Sequence, residues 1–213
     1  MRLPPRSVPD TYACVAPVYD VLVPSIASRA RQLALEWLDV HDGEQVLEVG
    51  VGTGLAFGTL VQRNPTGCTL GIDRSPAMLR RARRRMEGAA PSSFVLRLGD
   101  ARRLRCPTDA LDAIYSGYVL DQLPHRLLRM GVREMRRVLR PGGRLVLQHM
   151  THPEAPREQA WTLPERLLPG LLGGSRPLRA SSVLREAGFL GVRRRKVVQR
   201  AFPTEVLWAA VPS

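Results

Sequence analysis

The residues able to do chemistry in this chain are few, and they fall at regular intervals. The run Glu48-Val49-Gly50-Val51-Gly52-Thr53-Gly54 sets a carboxylate and alternating glycines between two apolar stretches. Glycine lets a backbone turn tightly and approach a ligand closely, so the run reads as a place where something is held against the main chain. A dinucleotide fingerprint requires G-x-G-x-x-G/A. Counted from Gly50 the last position is Leu55, and counted from Gly52 it is Phe57. A phosphate-binding P-loop requires Gly-Lys-Ser/Thr, and no lysine stands here. Asp73 and Asp100 each close an apolar run, which is also where turn and cap carboxylates stand. Tyr12, Tyr19 and Tyr118 offer phenols, and Tyr118 with Asp121 follows a further apolar run. His149 and His152 can act as general bases if their pKa values suit, and solvated loop histidines are the competing reading. His149-x-x-His152-Pro153 supplies too few ligands for a metal. Cys14, Cys68 and Cys106 stand far apart without a CxxC, which suggests neither a disulfide framework nor zinc.

These residues need elements to position them, and the hydrophobic periodicity supplies an alternation of strands and helices. A helix is expected over Ile26–Leu38, a buried strand over Gln45–Gly50 and a helix over Leu55–Arg63. A strand over Cys68–Asp73 leads to a helix over Pro76–Met86, with Ser75 as N-cap and Pro76 in the first turn. Strands follow over Ser93–Asp100 and Leu111–Gly117. A helix over Arg126–Leu139 stops at Arg140-Pro141-Gly142-Gly143 before a strand over Arg144–Met150. A helix over Ser181–Ala187 closed by Gly188 precedes strands near Val192–Gln199 and Glu205–Val211. This order predicts an α/β fold: a doubly wound, mostly parallel seven-stranded sheet, helices on both faces and a C-terminal antiparallel hairpin. In such sheets ligands bind beyond the carboxyl ends of the strands, where the glycine run lies.

The run Glu48–Gly54 resembles the first motif of class I S-adenosylmethionine-dependent methyltransferases, of the methyltransferase type 11 and ubiquinone/menaquinone kind. The resemblance continues in order through Gly71–Leu79, Gly99–Leu104, Glu134–Leu147 and Leu184–Phe189. It implies a Rossmann-like methyltransferase fold, S-adenosylmethionine as cofactor and methyl transfer by in-line displacement at its sulfonium. It also implies that Asp73 grips the ribose hydroxyls and that Asp100 reaches the adenine amino group. Ser116 to Leu120 would flank the methionine half. The cofactor-binding set expected from it is Tyr12, Tyr19, Glu48, Gly50, Gly52, Gly54, Asp73, Arg74, Met78, Asp100, Ala101 and Ser116. Tyr19, Tyr118 and His149 are the catalytic candidates. The segment Tyr12–Leu22 resembles bacterial phosphatidylethanolamine N-methyltransferases and quinone C-methyltransferases, leaning toward the first. The resemblance thus makes a phospholipid headgroup amine the leading acceptor and a quinone-type ring carbon the nearest alternative. RNA modification and non-catalytic cofactor binding stand as readings of other classes.

Composition sets the outer bounds. At 44% hydrophobic and 24% charged, the chain belongs to the globular range rather than the disordered one. One domain is expected over 1–213. Within it 1–40 forms an N-terminal lid and helix, 41–150 a cofactor-binding core, 151–180 a substrate-side cap, and 181–213 the last helix and hairpin. No apolar run suits a membrane span or a signal peptide, so a cytoplasmic location is expected. The net charge of +13 favours anionic partners, with Lys196 the single lysine among the 32 basic residues. Arginines crowd one face of the Arg126–Leu139 helix and much of the Pro76–Met86 helix, expected on opposite faces of the sheet. One flat anionic surface cannot easily engage both, so at least one reads as a solvated arginine face; the charge keeps RNA modification open, though nucleic acid is not the expected partner. The Trp161–Leu172 stretch, rich in leucine, can wall an apolar pocket or touch an anionic membrane surface, or it can simply pack in the core.

Overall fold

A computed structural model describes residues 27–88, 94–159, 177–200 and 202–213. Tyr12, Tyr19 and the Trp161–Leu172 stretch lie outside the described residues. The first strand, β1 (Gln45–Val49), is buried along Val46–Val49, so both its faces are covered. Its alternate residues go to different cores. Val46 packs with Ala34, Leu38 and Leu60, whereas Leu47 and Val49 pack with Leu128, Val132 and Met135. That partition follows from the two-residue period of a strand. It places α1 (27–38), α2 (Leu55–Arg63) and α3 (Pro76–Arg85) on one face of the sheet. On the other lie α4 (His125–Val138) and, nearer the C-terminus, α6 (Ser181–Glu186). A short α5 (Pro156–Gln159) stands between them in sequence.

The remaining strands are β2 (Cys68–Asp73), β3 (Phe94–Leu98), β4 (Leu111–Gly117), β5 (Leu139–Met150), β6 (Leu190–Gln199) and β7 (Phe202–Ala210). The seven-stranded sheet runs β3-β2-β1-β4-β5-β7-β6. Pairing is parallel from β3 to β5, and β7 is antiparallel to both β5 and β6. The expected mixed sheet with a C-terminal hairpin is therefore present. β7 lies inside the sheet, between β5 and β6.

Local chemistry explains the element ends. Ser75 caps α3, its hydroxyl accepting the Met78 N–H at 3.3 Å, with Pro76 in the first turn where its missing N–H costs nothing. α4 stops at Val138, and β5 begins at once with Leu139 paired to Leu111. The expected stop at Arg140–Gly143 is instead an irregularity inside the strand: the register resumes only at Ala113 opposite Arg144. Leu128, Val132 and Met135 are fully buried along α4. Each contributes about 1.5–3 kcal/mol of apolar burial, which is what fixes the rotation of that helix. Its polar face is partly spoken for. Arg129 pairs with Glu186, and Arg137 binds Glu134 and the carbonyls of Leu104 and Cys106.

Candidate functional site

The glycine run follows β1 directly, at the carboxyl end of the parallel strands. Gly50 and Val51 donate to Ile72 O at 2.8 and 3.0 Å, which ties the turn to the end of β2. Gly50, Gly52 and Gly54 all have positive φ, at 77°, 56° and 85°, a region costly for residues with a Cβ. Their surroundings differ. A Cβ on Gly50 would lie 2.0 Å from a methyl of Val119, and one on Gly54 would lie 3.1 Å from the α3 backbone at Ala82. A Cβ on Gly52 would meet nothing within 4 Å. Only Gly52 opens onto free space, so Gly54 serves helix packing and is not part of the cavity wall.

Asp73, the last residue of β2, is fixed by that turn. One carboxylate oxygen accepts the Gly52 N–H at 2.8 Å and the other accepts the Ser75 N–H at 2.8 Å. Burial pushes its pKa up, and the backbone N–H groups of Ser75, Gly52 and Arg74 oppose that rise. Each oxygen keeps a lone pair for a further donor. Asp73, Gly52 and Gly50 line a cavity of about 310 Å³, together with Arg74, Met78, Asp100, Ala101 and Tyr118. Asp100 is held by Arg102, whose guanidinium donates to both carboxylate oxygens, at 2.9 and 2.6 Å for the closest contacts. That bidentate contact keeps the Asp100 carboxyl below its ordinary pKa.

Besides Gly54, three expected site residues stand elsewhere: Ser116, Glu48 and His149. Ser116 does not line the cavity: it is buried, and its hydroxyl donates to Val49 O at 3.1 Å across the β1–β4 pair. Glu48 is buried behind the glycine turn at a smaller cavity of about 60 Å³, with Arg31, Thr53 and Gln148. Burial first, and then the charge of Asp73, push its carboxyl well above the ordinary range, while Arg31 opposes. Its Oε2 has no hydrogen-bond partner among the described residues. Gly50, Gly52 and Tyr118 border both cavities, so Glu48 reaches the back of the same turn.

His149 is not placed as a base. It is 1% exposed, its Nδ1 is 3.0 Å from Met150 O, and burial lowers its pKa to about 4. The β5–β7 register sets it opposite Glu205, whose carboxylate lies 3.6 Å from Nε2. It lines none of the cavities described here. Asp121 is likewise buried, accepting the Met150 N–H at 3.1 Å, and does not face the cavity. Tyr118 does face it, with φ of 54°, a conformation costing a bulky residue about 1–3 kcal/mol. Its hydroxyl is 2.7 Å from Thr204 Oγ1, and burial raises the pKa of the phenol, which keeps it protonated. Tyr118 therefore contributes a protonated ring wall and not a base.

The sequence reading reached Val119, within Ser116 to Leu120, and missed the rest of the far wall. Val119, Gln122, Leu123, Pro124 and Leu127 line the cavity with Asp73. They come from a 3₁₀ turn (Leu120–Gln122) and the start of α4, where Pro124 is the N-cap residue. Leu123-Pro124 was the available signal, since proline at a helix start fixes where the first turn emerges. Gln122 Nε2 donates to Tyr118 O and so braces the strained residue.

A carboxylate bridged between a glycine turn and a helix start, at the end of the second strand of a doubly wound sheet, is the arrangement that the resemblance leads one to expect of a nucleoside-binding α/β protein. The cradle above Gly52 and the free lone pairs of Asp73 fit an adenosine ribose, and the unpartnered Glu48 oxygen fits a group carrying donors or positive charge. Residues 46–143 match the methyltransferase domain family. The chain is 33% identical over 161 residues to a 2-phytyl-1,4-naphthoquinone methyltransferase of Synechococcus elongatus, covering 72% of this chain and 68% of that protein. It is 35% identical over 143 residues to a 37.1 kDa protein of transposon Tn4556 from Streptomyces fradiae. That match covers 66% of this chain and 39% of the Streptomyces protein. The Haemonchus contortus phosphoethanolamine N-methyltransferase 2, solved with S-adenosylhomocysteine, superimposes with a TM-score of 0.77 at 12% identity. The superposition covers 98% of this chain and 61% of that one and speaks to the fold alone. The chain belongs to the S-adenosylmethionine-dependent methyltransferases, and its cofactor is S-adenosylmethionine.

Proposed function

We propose that this chain transfers a methyl group from S-adenosylmethionine to a small amphiphilic acceptor, and that the acceptor is a quinone-type ring. The Asp73–Gly52 clamp, open on its cavity side, carries the cofactor half of this reading. Asp73 would accept from both ribose hydroxyls while its own N–H contacts hold it in place. Asp100 would serve the adenine edge, with Arg102 keeping it ionised. Glu48 would sit behind the methionine half, and the protonated Tyr118 ring would exclude water from the reacting end. When bound, the cofactor would supply an electrophilic sulfonium methyl and leave as a neutral thioether, while the attacking ring carbon, in the reduced quinol form, would give up its proton to water.

The acceptor half is supported by the naphthoquinone-methylating relative from Synechococcus. A demethylmenaquinone methyltransferase of Deinococcus radiodurans, 34% identical over 152 residues, supports it too. This reverses the order suggested by the N-terminal segment, which put a phospholipid amine first. The amine remains the second reading, favoured by that segment and by the +13 charge. Both acceptors reside in membranes, so peripheral contact with an anionic surface belongs to the same proposal. Among the described residues no helix is long and apolar enough to cross a membrane.

The test is transfer of label from methyl-labelled cofactor in detergent, offering a demethylated naphthoquinol and phosphatidylethanolamine in separate reactions. Labelled naphthoquinol is expected. Label on phosphatidylethanolamine alone would overturn the quinone reading, and label on neither would overturn both.

A further inference from the structure

A second cavity, of a size similar to the one beside Asp73, lies next to it. It is a groove of about 390 Å³ on the α4 face of the sheet, at its β3 edge. Its cause is topological. The connection from Gly99 to Ala110 contains no helix, so nothing there covers β2 and β3 on that face. The connection instead stands off as a loop pinned to α4. Glu134 accepts the Leu104 N–H at 2.9 Å, and Arg137 donates to the carbonyls of Leu104 and Cys106 at 3.0 and 3.1 Å.

The groove has two chemistries. Its floor is apolar, formed by Leu47, Leu70, Ile72 and Leu104, and Leu98 stands 61% exposed at its edge. Its rim is cationic, carrying Arg97, Arg103 and Arg105. None of these three guanidiniums has a hydrogen bond or ion pair among the described residues, in contrast to Arg129, Arg137, Arg140 and Arg144 elsewhere. The single carboxylate at the groove, Asp100, is already neutralised by Arg102, with Arg74 3.7 Å away. Glu134 feels the charge of Arg103, but no carboxylate among the described residues pairs with any of the three, and an apolar floor beneath such unpaired guanidiniums fits a ligand with an apolar body and an anionic head.

We propose that this groove is a second ligand site, taking an anionic amphiphile whose chain or ring lies on Leu70 and Leu104 and whose phosphate or carboxylate meets Arg97, Arg103 and Arg105. The volume is that of a small-molecule site, and the exposed guanidiniums suit planar, two-point recognition of an oxyanion. Its wall continues into the first cavity through Ile72, Arg74, Gly99 and Asp100. The two ligands would therefore lie side by side.

The test uses the full chain with dodecyl phosphate below its micelle concentration. Dodecyl maltoside and inorganic phosphate serve as the head and tail controls, and calorimetry reads the binding. Cys106 lines the groove, so its alkylation, located by mass spectrometry, reports occupancy independently. Dodecyl phosphate is expected to bind and to slow Cys106 alkylation, and neither control should do so. The exposed pair Arg97→Glu with Arg105→Glu should weaken binding about tenfold or more, with melting unchanged. Leu98→Ser should weaken it by less. Binding by dodecyl maltoside as tight as by dodecyl phosphate would overturn the proposal, as would binding insensitive to the arginine pair. Loss of binding when S-adenosylhomocysteine saturates the protein would place the probe in the first cavity and also overturn it. Equal protection of Cys106 by a glutamate-rich peptide would exclude the amphiphile class in favour of an acidic polypeptide. None of these outcomes depends on which acceptor the first site methylates.

Discussion

Asp73 accepts the backbone N–H of Gly52 at 2.8 Å, joining the end of the second strand to the one glycine of its run that faces open space. The carboxylate and the cradle are thus a single unit. A hydrogen bond to a charged acceptor contributes about 1.5–3 kcal/mol. Asp73→Ala should therefore weaken S-adenosylhomocysteine binding by tenfold or more for the two lost ribose contacts, and should loosen the turn as well. Asp73→Asn, which keeps one acceptor oxygen, should bind between the two. Calorimetric affinities equal to the parent in both variants would remove Asp73 from the ribose role.

The glycines should separate by readout. Gly52→Ala adds a Cβ to empty space at φ 56°, so it should cost about 1–2 kcal/mol of stability while abolishing most cofactor binding. Gly50→Ala drives a Cβ into Val119, so it should lower the melting temperature more than Gly52→Ala does. Melting curves paired with titrations decide this. Full cofactor affinity in Gly52→Ala would contradict the cradle.

Tyr118→Phe removes a hydroxyl that bonds Thr204 and not the cavity. It should cost about 1 kcal/mol of stability and leave the pH–rate profile in place. A profile that loses a limb in the phenylalanine variant would restore Tyr118 as an acid or base.

His149 makes stability depend on pH. Its folded pKa, about 4, lies below the unfolded value near 6.5. Between these values the unfolded chain binds the extra proton, so stability must fall as pH drops from about 6.5 toward 4. The full difference is about 3 kcal/mol by linkage. Glu205, whose carboxyl burial raises, works in the opposite sense: its contribution is present at low pH and is lost as pH rises. The histidine part is isolated by comparing His149→Gln with the parent in denaturant unfolding at pH 7 and pH 5. The variant should lose less stability on acidification and should keep its methyl-transfer rate. An equal pH slope would mean that His149 charges freely in the folded state.

How much of this was legible before folding depends on whether the determinants were local. The bounds of α2, β2 and β4 follow from periodicity, and the Ser75 cap from the adjacent Ser75-Pro76 pair. The end of α4 was misplaced because Leu139 is claimed by a strand partner, Leu111, far away in sequence. The glycine run, Asp73 and Asp100 were readable because a doubly wound sheet must bring the strand ends together, whatever the loops do.

What the sequence determined alone is therefore the alternation of strands and helices, the strand ends where a ligand must bind, and the glycine-and-carboxylate pattern whose family resemblance implies the cofactor. Tertiary structure decided how those residues divide the work. Gly50, Gly52 and Gly54 are alike in sequence, yet Val119 confines the first, open space faces the second and Ala82 crowds the third. His149 was open in sequence to a base or a solvated loop histidine, and it is neither, because β7 pairs beside β5 and buries it opposite Glu205. The groove at β3 exists because a loop, not a helix, crosses that face. Each of these depends on contacts between residues distant along the chain, and burial and electrostatic environment are set by such contacts and not by neighbours in sequence.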